Sequence, residues 1–292
     1  MNNTQTSLWR DYLELTKPGV QALLFVSCIS GMLIGSDFSP PPLVFIFGLL
    51  GISFIAGSAA VINHIFDSEI DAKMARTATR PIVKGAISQN SAIIFATLLY
   101  LAGSAMLVVY VNTLTWILTS LTFIFYAFIY TRYLKFMTSQ NIVIGGLAGA
   151  MPPLLGWTAV SNTIEPNAWL LVLIVMVWTP PHFWALAIYR VEDYAEAGVP
   201  MLPVQKGVPL TKIHIVHYTI LLIIATMLPY AVGMFQELYL VVALILGLGF
   251  LYFALKLYRD ETNASAMQTF AYSISYLAAL FGAMLVDQYL YL

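Results

Sequence analysis

Apolar residues dominate this chain in long, nearly unbroken runs separated by short polar stretches, and the pattern repeats nine times. The runs cover about 20–36, 43–64, 91–111, 114–131, 141–160, 168–189, 213–234, 238–258 and 269–290. Each approaches the roughly 20 apolar residues that a helix needs to cross the hydrocarbon core of a bilayer. Inside that core the backbone must satisfy its own hydrogen bonds, so apolar runs of this length predict helices. The expected fold is all-α: a polytopic membrane bundle of nine transmembrane helices forming a single membrane domain over residues 1–292. Ahead of the first run, residues 8–17 mix Leu8, Trp9, Tyr12, Leu13 and Leu15 with Arg10, Asp11, Glu14 and Lys17, as a short interfacial helix ending before Pro18 does.

Composition agrees with this expectation. Hydrophobic residues make up 60% of the chain, charged residues only 9%, and mean hydropathy is +0.83, which excludes a large soluble domain. All 13 Lys and Arg fall on one side of the expected bundle. They lie in the N-terminal arm and in the loops after runs two, four, six and eight. The positive-inside rule therefore places the N-terminus and these loops in the cytoplasm and the C-terminus outside. A net charge of −1 argues against a nucleic-acid partner. Neither a cleavable signal nor a transit peptide is apparent in the first residues, so a bacterial inner membrane is the simplest location. The single Cys28 excludes an internal disulfide and reads as packing.

Two of the loops on the charged side are long, and each follows the second run of a four-run block. That spacing suggests an internal duplication with two polar loops over a central cavity. Gly31-x3-Gly35 and Gly145-Gly146-x2-Gly149-Ala150 suit close helix contacts. Pro152-Pro153 and Pro180-Pro181 lie within apolar runs, where they are expected to free carbonyls and bend helices.

The chemistry concentrates where the second run ends. Asn63, Asp67 and Asp71 are four apart and would share one helix face. An amide oxygen and two carboxylates suit a hard divalent cation that keeps some of its waters. Arg76 and Arg80 repeat the four-residue spacing with the opposite charge, as phosphate oxygens require. The combination predicts a diphosphate site at a membrane surface. In the second long loop, Glu192, Asp193 and Glu196 could hold a second metal facing the first, and their spacing leaves open which of them does. Lys135, with Arg132, reads either as a phosphate contact or as an anchor at the membrane edge. His182 is the one histidine within an apolar span and not at its end, as His64, His214 and His217 are; there it is either a haem-iron ligand, a base, or a neutral ring bonded to a carbonyl.

The stretch from Asn63 to Arg80-Pro81 resembles the first motif of the UbiA superfamily of intramembrane prenyltransferases. Further stretches resemble its haem-farnesylating branch: Gln140-Asn141 running to Gly156-Trp157, Pro181-His182-Phe183-Trp184, Asp193-Tyr194 to Pro203, and Leu15-Thr16-Lys17-Pro18. The resemblance covers roughly residues 10–290. It implies transfer of a farnesyl group from farnesyl diphosphate to haem B with Mg²⁺. Asn63, Asp67 and Asp71 would then be metal ligands, joined by Asp193 and Glu196 for a second ion. Arg76 and Arg80 would act on the diphosphate, Lys135, Arg190 and Asp193 would bind substrate, and His182 would meet the haem. Membrane lipid and a haem A synthase or terminal oxidase are the implied partners. Many members of the superfamily carry Asp-x3-Asp in the second loop, where this chain has Asp193 between two glutamates. A quinone-type aromatic prenyltransferase would share the first motif without needing His182. An ion-coupled transporter would place its acids nearer the bilayer midplane.

Overall fold

The computed structural model describes residues 8–74 and 76–292. Residues 1–7 and Ala75, part of the expected single unit 1–292, lie outside the described residues. Helices make up the described fold in this order: α1 (Leu8–Leu15), α2 (Pro18–Ile34), α3 (Pro42–Phe66), α4 (Ser68–Asp71), α5 (Gln89–Tyr110) and α6 (Thr113–Ile124). A π-helical stretch (Phe125–Leu134) leads into α7 (Lys135–Met137), followed by α8 (Asn141–Ala150), α9 (Pro152–Ser161) and α10 (Pro166–Tyr189). The chain closes with α11 (Val191–Glu196), α12 (Leu202–Lys206), α13 (Val208–Ala231), α14 (Glu237–Arg259) and α15 (Ala266–Leu290).

Eight spans are long and apolar enough to cross a membrane, and α1 with α2, bent by 52°, makes a ninth when counted as one. The chain is therefore a multi-pass membrane protein, and the nine expected runs reappear within a few residues. Proline begins several of these helices, at Pro18, Pro42, Pro152 and Pro166, where its missing N–H leaves no bond unmade. Asn112 caps α6 by accepting from the Thr115 N–H at 2.8 Å. Buried hydroxyls satisfy themselves on their own helix, as Thr119 and Thr179 do by donating to carbonyls four residues back.

One boundary differs from expectation. Pro152-Pro153 do not bend a helix; they start α9 after a break at Met151, because proline suits a first turn better than an interior. Pro180-Pro181 do lie inside a continuous helix, α10. That helix is buried along most of its length and packs against α8, α9, α13 and α15, so it forms the axis of the bundle.

Small residues set two of the closest approaches. A Cβ on Gly31 would lie 2.0 Å from the Pro153 carbonyl oxygen, and one on Gly156 would lie 2.1 Å from that of Cys28. Backbone meets backbone there, so α2 and α9 touch as only glycine allows. Gly149, expected in the same role, faces open space instead.

At the charged end, one hydrophobic cluster joins the two long loops. Met74 and Ile70 from the first pack with Ala197, Val199, Met201 and Leu202 from the second. The loops therefore stand side by side, as the sequence suggested. An apolar cleft of about 980 Å³ opens elsewhere, between α1, α2, α3 and α5.

Candidate active site

The site is built on the end of α3. Asp67 closes that helix and also starts α4, so the helical path continues and Asn63, Asp67 and Asp71 keep the shared face their spacing predicts. All three are buried, at 4%, 5% and 4% exposure. Buried carboxylates need partners, and each residue of this face has a cation on it. Lys135 pairs with Asp67 at 2.8 Å, Arg80 pairs with Asp71, and Lys17 donates to Oδ1 of Asn63. The three cations come from three separate places: the end of the fourth span, the loop after α4, and the break between α1 and α2.

The face is cross-linked internally as well. Asn63 Nδ2 donates to Asp67 Oδ2 and to Thr131 Oγ1, both at 3.0 Å. Thr77 Oγ1 donates to the Asp71 carbonyl at 2.9 Å and folds the loop back over the site. The other oxygen of Asp67, Oδ1, is buried with no partner. An orphaned carboxylate oxygen beside an amide oxygen and a second carboxylate is a donor set suited to Mg²⁺.

Arg76 and Arg80 do not share a helix face, because the loop after α4 runs as turns. Arg80 reaches inward to Asp71, whereas Arg76 is exposed. Arg76 nonetheless acts electrostatically on Lys17 and on Tyr194 of α11, so it stands over the same space. Burial, with Arg80 beside it, pushes the Lys17 ammonium down to about 8, against the opposing influence of Asp67 and Asp71.

The second loop contributes less. On α11, Glu192 and Glu196 are four apart and share the exposed face, while Asp193 turns inward, half-buried. Asp193 accepts from Arg190 at 3.4 Å, a contact within one turn. The structure does not bring Glu196 to the acidic face of α3; among the described residues no three His, Cys, Asp or Glu side chains form a metal-holding group. Tyr194 is the closer link: burial raises its phenol, and Arg76 and Arg80 act on it from the first loop.

Sequence reasoning placed Lys135 between two readings, and the structure puts it on Asp67. Arg132 instead is exposed, with its guanidinium 5.8 Å from the centre of the Phe66 ring at the span's edge. The missed residues are Lys17, Thr131, Tyr126 and Tyr130. A π-helix places the last three. In an α-helix Tyr126 and Lys135 would be about two and a half turns apart, on opposite sides. The wider coil brings them together: Thr131 donates to the Tyr126 carbonyl at 2.8 Å, and Tyr126 lies within electrostatic reach of Asp67, Lys135 and Arg80. The Tyr126 and Tyr130 rings stack at 5.8 Å, and Gly145 makes room for the second. Asn141 anchors the presentation by donating to the Lys135 carbonyl at 3.0 Å. Asn141, and Lys17 itself within Leu15-Thr16-Lys17-Pro18, lie in stretches that carried the family resemblance, and those were the available signals.

His182 lies in α10 at 7% exposure, stacked between Trp178 (4.3 Å) and Phe270 (4.5 Å). Its Nδ1 is 2.6 Å from Ser273 Oγ, not from a carbonyl freed by the prolines. Ser273 gives its own hydrogen to the Phe270 carbonyl at 2.6 Å, so it accepts from Nδ1–H of the histidine. The lone pair is then on Nε2.

The UbiA prenyltransferase family profile matches residues 24–281. A protoheme IX farnesyltransferase of Saccharophagus degradans is 54% identical over 290 residues, covering 99% of this chain and 96% of that protein. Among solved structures, one concerning digeranylgeranylglyceryl phosphate synthase superposes with a TM-score of 0.80 at 22% identity, over 97% of this chain and 99% of the other. A UbiA homologue from Archaeoglobus fulgidus, solved with DMAPP and Mg²⁺, gives 0.71 at 17% identity, over 93% and 99%.

Proposed function

The chain belongs to the UbiA prenyltransferase family, and from that premise we propose that it transfers the farnesyl group of farnesyl diphosphate to a vinyl group of haem B. The products are haem O and diphosphate. One observation carries the donor half of this reading: Asn63, Asp67 and Asp71 form a buried face in which every residue holds a cation. Such alternation of oxygen donors and ammonium or guanidinium groups matches a metal–diphosphate pair. The acceptor half is supported by the full-length similarity to a protoheme IX farnesyltransferase.

Asn63, Asp67 and Asp71 would hold Mg²⁺, with Asp193 the inward-facing acid of the second loop and Glu196 adding charge from the exposed side. Bound there, the metal would offset the negative charge that grows on the departing diphosphate. Arg80, Arg76 and Lys135 would donate to phosphate oxygens, Arg80 through a planar fork. Arg190 flanks Asp193 on the second loop. The allylic C–O bond breaks and its electron pair leaves with diphosphate. The farnesyl carbon then bonds to the outer vinyl carbon, water adds to the inner one, and a proton is released. The stacked Tyr126 and Tyr130 rings offer electron-rich faces beside Asp67 for the positive charge formed in between. His182, held by Ser273 and two aromatic faces, presents Nε2 as the nitrogen for haem iron.

The charge asymmetry of the loops supports a cytoplasmic N-terminus and cytoplasmic long loops with the C-terminus outside, in what we read as a bacterial inner membrane. A haem A synthase or terminal oxidase is the receiver this product calls for.

The test is turnover of the purified full chain with haem B, farnesyl diphosphate and Mg²⁺, read by mass detection of hydroxyethylfarnesyl haem. Farnesylation of an aromatic acceptor in place of haem would overturn the reading. For His182, a shifted Soret band and weaker haem binding in His182→Ala are expected. An unshifted band in a folded variant would leave that side chain as packing, worth about 1–3 kcal/mol of stability.

A further inference from the structure

The break between α1 and α2 places a lysine where two separate effects oppose it. Lys17 has φ 54° and ψ 59°, the left-handed region, which crowds any side chain larger than glycine's hydrogen. It also precedes Pro18, whose ring disfavours helix-like backbone at the residue before it. Glycine would turn the chain here without strain. What lysine adds is reach, since its Nζ donates to Oδ1 of Asn63, 46 residues along the chain. The arm carrying it is fixed from its other end by Asp11, buried and paired with Lys84 at 2.7 Å.

Lys17 also differs from the other two cations of the acidic face. Lys135 and Arg80 each hold a carboxylate, whereas among the described residues no carboxylate lies within ion-pair distance of Lys17. Among the described residues its hydrogen-bond partner is a neutral amide. Moving it to an anion breaks no ion pair. Strained backbone of this kind persists where the rest of a structure over-determines it, as binding sites do.

We propose that Lys17 is a substrate-binding residue: its ammonium donates to a diphosphate oxygen of the prenyl donor, and Asn63 is its resting partner before the donor arrives. This rests on the reading that the donor is a prenyl diphosphate. The ammonium then adds a fourth positive charge around the leaving group, beside Arg76, Arg80 and Lys135, delivered by the N-terminal arm, not by either long loop. In the same step Asn63 Oδ1 is released to serve as a metal donor.

The experiment compares Lys17→Gly, Lys17→Met and Lys17→Arg in the purified full-length protein. Magnesium diphosphate is the binding probe, without haem, and KM for farnesyl diphosphate is the kinetic one. Lys17→Gly relieves the strain and removes the charge, so its thermal midpoint should stay or rise while diphosphate affinity falls at least about tenfold. Lys17→Met keeps the strained backbone without the charge and should show the same loss of affinity. Lys17→Arg should retain most of the binding. Wild-type diphosphate affinity and KM in both Lys17→Gly and Lys17→Met would overturn the proposal, and a lowered thermal midpoint alongside them would make Lys17 a structural tie to Asn63. If wild-type protein itself binds no diphosphate, the donor reading fails and this proposal with it.

Discussion

The two long loops carry nearly the same complement of acids, yet they fold into different things. At the end of α3 and just beyond it, Asn63, Asp67 and Asp71 are buried and bridged to cations from three separate parts of the chain. After α10, Glu192 and Glu196 face outward, and Asp193 pairs, among the described residues, with Arg190 three residues before it. The difference is one of environment, not composition. Charge–charge attraction is strong where water is excluded and weak where it is not, so the first loop holds a preorganised site and the second a set of solvated charges with one inward member.

The sharpest way to break this comparison is at its buried side. Asp67→Asn or Asp71→Asn should reduce turnover on the order of 100- to 1000-fold at saturating Mg²⁺, the range for a lost transition-state contact. Each also strips Lys135 or Arg80 of its counter-charge, so a lower thermal midpoint should accompany the loss. Steady-state assays with melting curves check both, and activity above about a tenth of wild type would count against the metal face.

Arg80→Lys should raise KM for farnesyl diphosphate about tenfold or more, because a point ammonium cannot reproduce the guanidinium fork on phosphate. Unchanged affinity would reduce Arg80 to general charge. On the second loop, Asp193→Asn should weaken Mg²⁺ dependence by up to about tenfold, less than either buried aspartate, since its partner is local and half-exposed. A Mg²⁺ titration measures it.

The smallest effect is expected at Glu196→Gln. An exposed carboxylate away from the acidic face should change activity and stability by less than about 0.5 kcal/mol. Were it as damaging as Asp67→Asn, the two loops would be equivalent and the contrast drawn between them would be wrong.

Much of this was legible in one dimension because a bilayer imposes length and apolarity on anything that crosses it, and helix period 3.6 imposes a shared face on residues four apart. Those two rules determined the nine spans, the side on which the charges lie, and the alignment of Asn63, Asp67 and Asp71. They also set Glu192 and Glu196 four apart with Asp193 elsewhere on the turn, but which of these faces water came from the structure. Only the tertiary structure decided which cation meets which donor, since Lys17, Arg80 and Lys135 reach the face from sequence distances no local rule connects. It alone showed that residues 125–134 coil as a π-helix, which changes the angular step and turns Tyr126 and Lys135 toward one site. It also moved Gly149 out of the packing stripe and put His182 on Ser273. The physical reason is common to all of these: periodicity is a property of a single helix, whereas burial, pairing and strain exist only once helices have been set against each other.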